Sequence, residues 1–425
     1  MKNQDFAHVL LALAHLLVAA HVGGYLFHRL RRLRVIGEIA GWLILGPTVL
    51  GHVAPDWYTT VFGNHPANIV LETVSKLGLM LLMFVSGLEI RSEFSSAERK
   101  SAAAVTVAGT VIPFLVALAA GSFLNFSEFY GPKAVPIAFN LVVAIAVAVT
   151  SIPVISKIML DLGILETPFA RIVLSAAVVE DVILYVVLSV ALSFVRPDDA
   201  TGGFTLPDRL GIPSGTPSIA YHVFSTLGFF TLAMTLGPKL FEKISAYRFN
   251  VVRRGSPAGY LLLFLIVFSG VAIFLDVELM FGAFLAGVVV AGSAEGADEP
   301  RRAVKQFSSA FFIPVFFAMV GWKLNLLRDV PWLFVAVFIA ACCAVKAASV
   351  YGGARFAGVG RTGAMNLAAA MNARGGPGIV LASVALSAEL IDSRFYVCLV
   401  LLAILTSLMA GTWLNRAIRS GRPLL

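Results

Sequence analysis

Glu180 and Asp181 stand side by side near the middle of Pro168 to Val195, a run that is otherwise almost wholly apolar. Charged side chains at the centre of a membrane span cost on the order of 2.5 to 3.5 kcal/mol each on insertion scales, so they normally serve an ion path. A carboxylate in that setting is neutralised either by a proton or by a small metal cation, and the two compete for one charge. Two cations fall at similar depth in other apolar runs: Lys346, just past the centre of residues 331 to 354, and Arg374, within residues 362 to 388. Neighbouring residues on a helix point about 100° apart, so Glu180 and Asp181 can hold different partners. Asp181 is accordingly assigned to a monovalent cation and to proton exchange, and Glu180 to Lys346, with Arg374 as a second charge partner. A purely structural ion network is the competing reading, and it is weakened by how little buried ion pairs stabilise a fold.

Two further apolar runs are interrupted, by Thr150-Ser151-Ile152-Pro153 and by Asn372-Ala373-Arg374-Gly375-Gly376-Pro377-Gly378. Pro153, Asn372, Gly375 and Pro377 mark the expected breaks. Backbone freed at mid-membrane must find new partners, and a bound ion or an ionic side chain is one such partner. Thr150 and Ser151 can lend oxygens to an ion or can cap the freed backbone, and both roles are open at this level. The chemistry in view is ion exchange rather than enzyme catalysis, and no cofactor is called for beyond the transported Na+ or K+ and H+.

These residues need lipid-spanning elements to position them. The 425-residue chain is 59% hydrophobic and 13% charged, with a mean hydropathy of +0.89, more apolar surface than a soluble core of this length hides. Only helices and closed barrels satisfy their backbone in lipid, and the long unbroken runs here have helical length. The fold class expected is an all-α membrane protein with 13 transmembrane helices, near 6–27, 35–54, 69–88, 101–123, 135–161, 168–195, 218–238, 257–275, 278–292, 304–322, 331–354, 362–388 and 394–415. The net charge of +8 does not signal nucleic acid, because Lys and Arg concentrate in short connections. Of these residues 22 fall on one side of the alternating spans and 7 on the other, with Lys76, Lys346 and Arg374 inside them. The positive-inside rule then puts the N-terminus outside and the C-terminus in the cytoplasm of a bacterial inner membrane. Cys342, Cys343 and Cys398 lie in apolar stretches without metal or disulfide spacing, and read as core residues. The first run lacks a cleavage site and reads as a span rather than a signal peptide.

The interrupted runs also belong to a repeat. Gly41-Trp42-Leu43-Ile44-Leu45-Gly46 in the second span is echoed by Gly282-Ala283-Phe284-Leu285-Ala286-Gly287 in the ninth, and the end of the third span, Gly87-Leu88-Glu89, by that of the tenth, Gly321-Trp322-Lys323. The fifth and twelfth spans, the broken ones, correspond at a similar offset. Equivalent positions are seven spans apart, an odd number, so the halves have opposite orientation. Inverted-topology repeats with paired discontinuous helices are a transporter architecture, with ions bound where the breaks meet. Elsewhere, Glu72 and Lys76 are spaced to pair with each other, Glu38 reads as a capping or snorkelling residue, and His15 and His21 read as packing residues rather than proton relays.

Val35-Ile36-Gly37-Glu38-Ile39-Ala40-Gly41, Leu45-Gly46-Pro47, Gly87-Leu88-Glu89, Thr150-Ser151-Ile152-Pro153, Glu180-Asp181 and Gly282 to Gly287 together resemble the monovalent cation:proton antiporter superfamily, the branch of bacterial sodium/proton antiporters and Kef-type systems, over about residues 5 to 415. The resemblance implies a homodimer that works by an elevator-like movement. It implies a dimerisation domain from residues 1–100 and 257–330, a mobile core from 101–195 and 331–425, and an outer loop with a linker helix in 196–256. It places the family's ion-binding aspartate on Asp181, the preceding polar position on Glu180, and the core lysine on Lys346. Partners expected are monovalent cations, protons and membrane lipids. The alternative is a proton- or sodium-coupled carrier of a small organic solute on the same scaffold. A passive channel is disfavoured by the lack of any filter-like segment.

Overall fold

A computed structural model of the chain describes residues 3–29, 34–46, 48–63, 65–89, 99–194, 204–212, 216–293, 298–324, 326, 330–421 and 423–425. These residues form helices and no strand. In order they are α1 (Asn3–Arg29), α2 (Arg34–Leu45), α3 (His65–Leu88), α4 (Arg99–Phe123), α5 (Pro136–Ala148), α6 (Ile152–Asp161), α7 (Pro168–Ser193), α8 (Thr216–Thr235), α9 (Gly237–Ser245), α10 (Pro257–Phe274), α11 (Leu279–Ala291), α12 (Asp298–Phe307), α13 (Ile313–Lys323), α14 (Trp332–Phe356), α15 (Arg361–Ala370), α16 (Gly375–Ser387) and α17 (Ser393–Arg419), with short helical turns between some of them. Nine helical stretches among the described residues are long and apolar enough to cross a membrane, and α5 and α11 are shorter apolar helices. The residues expected at Pro47, at Arg31, Arg32 and Arg91, and in much of the outer loop lie outside the described residues.

Packing divides the chain into two compact units. The first contains α1 to α3, α8 from Ala220 onward, and α9 to α13. Its helices approach closely: a Cβ on Gly287 of α11 would sit 2.1 Å from the Phe84 carbonyl of α3, so glycine is what lets these backbones touch. Between α12 and α13 the chain widens into a π turn at Ser308–Phe312, just before Pro314. There His21 Nε2 lies 3.0 Å from the Ala310 carbonyl. Glu72, expected to pair with Lys76, contacts Lys323 of α13 at 3.6 Å. Glu38 is buried, only 4% exposed, and so does not snorkel. The second span is also shorter than expected, since α2 stops at Leu45 and the chain restarts as a brief helix at Leu50–Val53.

The second unit contains α4 to α7 and α14 to α17. α7 shows how the sequence builds it. Thr167 caps the helix by accepting from the Ala170 amide, and Pro168 occupies the first turn, where no N–H is needed. Ala176, Ala177, Glu180, Asp181, Leu184 and Leu188 are buried, a stripe at three- and four-residue spacing that turns both carboxyls away from solvent.

Candidate functional site

Both expected interruptions fall in the second unit, and the first lies where expected. α5 ends at Ala148, Val149 and Ser151 are extended, and α6 begins at Ile152 with Pro153 in its first turn. The second is displaced: α15 stops at Ala370, and Gly375, Gly376, Pro377 and Gly378 already belong to the start of α16. The break is therefore Met371 to Arg374. A proline in a first helical turn costs no hydrogen bond, so Pro377 opens α16 instead of breaking it. Gly375 is where the two interruptions touch. Its φ is +31°, and a Cβ there would lie 2.3 Å from Val154 Cγ2 and 2.8 Å from Ser151 Oγ.

Each half-helix exposes backbone groups, and nearly all find named partners. At the end of α5, the Ala146 carbonyl accepts from Arg374 Nε at 2.9 Å, Val147 from Arg374 Nη2 at 2.9 Å, and Ala148 from Lys346 Nζ at 2.5 Å. After α15, the Met371 carbonyl accepts from Thr150 Oγ1 at 2.6 Å, Asn372 from Arg374 Nη1 at 3.2 Å, and Ala373 from the Ser151 amide at 2.6 Å. Entering α16, the Arg374 amide donates to Thr406 Oγ1 at 3.4 Å and the Gly375 amide to Ser407 Oγ at 3.1 Å. Ser151 Oγ accepts from the Val154 amide at 3.3 Å. These contacts of Thr150 and Ser151 cap freed backbone, and Thr150 also hydrogen-bonds the Glu180 carboxylate. A terminus left without such partners would be costly in a site that excludes water.

The cations are held differently. Lys346, fully buried, spends its three donors on the Gly109 carbonyl at 2.8 Å, the Ala148 carbonyl and Glu180 Oε1 at 2.7 Å. Glu180, also fully buried, receives a second hydrogen bond from Thr110 Oγ1 at 3.3 Å. Arg374, 1% exposed, makes no carboxylate ion pair among the described residues, which differs from the expectation that it is a charge partner of the acids. Its five N–H donors all meet neutral oxygens: Ala146, Val147, Asn372 through both its carbonyl and its Oδ1, and Cys342 at 3.1 Å. Beside the end of α5 the guanidinium sits at the negative end of a helix dipole, which compensates part of its charge. Asn372 thus acts as an acceptor for Arg374, and its own amide donates to the Ala368 carbonyl at 3.0 Å.

Asp181 is the remaining member. It is 2% exposed, and its Oδ1 is buried without a hydrogen-bond partner among the described residues. It lines a cavity of about 20 Å³ with Ile145 from the last turn of α5, Pro377 from the first turn of α16, and Leu184, Tyr185, Leu188, Val380 and Leu381. One water needs roughly 10 to 15 Å³, so the space suits a single water or a bare ion. Nothing in the sequence singles out Thr110, Thr406 or Ser407, each a small hydroxyl in an apolar helix. Their only signal is polarity, and Ser and Thr there usually bond their own preceding turn, as Thr406 and Ser407 also do.

Residues 17–419 match the model of the sodium/hydrogen exchanger transmembrane family. The chain is 29% identical over 419 residues to the Na(+)/H(+) antiporter NhaS4 of Synechocystis, covering 95% of this chain and 96% of that protein. It is 24% identical over 405 residues to the Na(+)/H(+)-K(+) antiporter GerN of Bacillus cereus, covering 95% and 94%. It spans about half the length of the plant cation/H(+) antiporters it matches. The structure of the sodium proton antiporter MjNhaP1 from Methanocaldococcus jannaschii has the same fold, with a TM-score of 0.68 at 14% identity, over 97% of this chain and 98% of that one.

Proposed function

We propose that this chain, which belongs to the sodium/hydrogen exchanger family, exchanges Na+ or K+ for H+ by alternating access, with the cation and the proton competing at Asp181. The carrying observation is the contrast between two adjacent carboxyls. Each has one buried oxygen without a hydrogen-bond partner among the described residues, but Glu180 is neutralised by Lys346 at 2.7 Å, whereas Asp181 pairs with no cation among the described residues and lines a cavity of about 20 Å³ with residues of both half-helices. A buried carboxylate without a counter-charge is unfavourable, so either a proton or an alkali cation stabilises it. The cavity volume favours an ion over an organic solute, whose sites run to roughly 300 Å³ and more. The naming of NhaS4 as a Na(+)/H(+) antiporter and of GerN as a Na(+)/H(+)-K(+) antiporter supports both cations as candidates.

In this reading the chain has thirteen spans in two inverted repeats, with α5/α6 and α15/α16 as the paired discontinuous helices. The unit holding Asp181 is the mobile core, the other unit is the dimerisation domain of a homodimer, and the arginine-rich connections face the cytoplasm. Arg374 and Lys346 are positioning residues: both keep the half-helix ends in place, and Lys346 keeps Glu180 from competing for the ion. In proteoliposomes, added Na+ or K+ dissipates an imposed pH gradient, and Asp181→Asn abolishes this. Exchange that persists in Asp181→Asn removes Asp181 from the mechanism.

A further inference from the structure

The first unit contains a second cavity that the cation centre does not use. It measures about 480 Å³ and lies between α9, the turn that follows it and the start of α10, a size within the roughly 300 to 1,000 Å³ of small-molecule sites. Arg248, Arg253 and Arg254 line it, against one carboxylate, Glu299. Arg253 is held in place: its Nη1 donates to the Ser245 carbonyl at 2.5 Å and its amide to Asn250 Oδ1 at 3.0 Å. The floor is aromatic, with Phe241 stacked on Tyr260 at 5.6 Å between centroids. Exposed apolar side chains flank the lining residues along the chain. Leu240 and Ile244 of α9 and Tyr247, Phe249 and Val251 beyond it are 46 to 74% exposed, and Lys239 and Lys243 share α9 with the first two.

Cations and exposed aromatic and aliphatic side chains combined on one short helix and turn are the pattern of a segment lying at the lipid headgroup level. The cavity opens among them with an excess of guanidinium, the group that binds phosphate oxygens through paired hydrogen bonds. We propose that it binds the phosphodiester headgroup of an anionic phospholipid, with Arg248, Arg253 and Arg254 on the phosphate and the acyl chains along Leu240 and Ile244. A zwitterionic headgroup brings its own ammonium towards the arginines and is bound less well. Among the described residues lining the cavity, Glu299 is the one that repels phosphate, and it tempers the affinity.

The test uses the full chain, purified in detergent and stripped of lipid, then titrated with phosphatidylglycerol, phosphatidylcholine or inorganic phosphate. Thermal stability and lipid retention in native mass spectrometry are the readouts. Phosphatidylglycerol is expected to stabilise the protein and to be retained, and phosphatidylcholine is not. Arg248→Gln combined with Arg254→Gln, both exposed and neither making the Ser245 contact of Arg253, weakens apparent affinity by about tenfold or more, while Glu299→Gln tightens it. Equal retention of phosphatidylglycerol by the double variant, or no retention by the unaltered chain, overturns the proposal. Equal stabilisation by inorganic phosphate alone overturns the lipid as the source of the phosphate.

Discussion

Replacing Lys346 by methionine, a side chain of similar length without charge, tests the architecture most directly. Three hydrogen bonds disappear at once, from Glu180, Gly109 and Ala148. Glu180 keeps only hydroxyl contacts, from Thr110 at 3.3 Å and from Thr150, and the Ala148 carbonyl at the end of α5 loses its cation. Removing one partner of a buried ion pair costs about 3 to 5 kcal/mol, and the two freed carbonyls add about 1 to 3 kcal/mol each where water cannot replace the donor. Lys346→Met alone is therefore expected to be severely destabilised in detergent. The sharper measurement is a double-mutant cycle with Glu180→Gln. With both charges gone, the double variant recovers most of the ion-pair loss, because an uncharged pair in a buried site is often no worse than a charged one. The assay is the thermal midpoint of the four proteins, followed by tryptophan fluorescence or by retention of a monodisperse peak after heating. If the double variant melts no higher than Lys346→Met, or if Lys346→Met melts like the parent, the buried pair is not what organises this centre.

Competition at Asp181 predicts a pH signature: over the range where the proton occupies the carboxyl, the cation concentration for half-maximal exchange rises about tenfold per unit of falling pH, with maximal rate unchanged. Stopped-flow fluorescence in proteoliposomes reads it, and a constant half-maximal concentration contradicts the competition. Gly375→Ala forces a methyl towards Val154 at a positive φ and lowers stability by about 1 to 3 kcal/mol; an unchanged melting curve refutes the close contact of the two interruptions. Arg374→Lys leaves three donors for five oxygen contacts, so at least two acceptors lose a partner at about 1 to 3 kcal/mol each; a variant as stable as the parent shows that these contacts are dispensable.

The carboxyls and the first interruption were legible in the sequence because they violate a strong rule: charge and proline are rare inside twenty-residue apolar runs, so Glu180, Asp181 and Pro153 stand out from composition alone. The second interruption was legible only as a region, because Gly375 to Gly378 reads equally as a break or as the start of a helix, and the difference depends on where the preceding helix frays. The partners of Arg374 were hidden for another reason. Pairing a cation with a nearby acid is a rule about side chains, whereas this guanidinium is satisfied by backbone carbonyls that carry no residue identity. Thr406 and Ser407 were hidden likewise, since spacing along one helix does not say which amides another helix presents to it.

The last three carbonyls of α5 are gripped by side chains from α14 and from the loop entering α16, so these segments are riveted into one girder. Swinging either half-helix alone would strip five or more hydrogen bonds from oxygens that no solvent reaches. Any motion that carries the aspartate from one face to the other is consequently cheaper as a displacement of the whole girder than as a flexing at its joints. Cross-links placed within this frame should leave turnover intact.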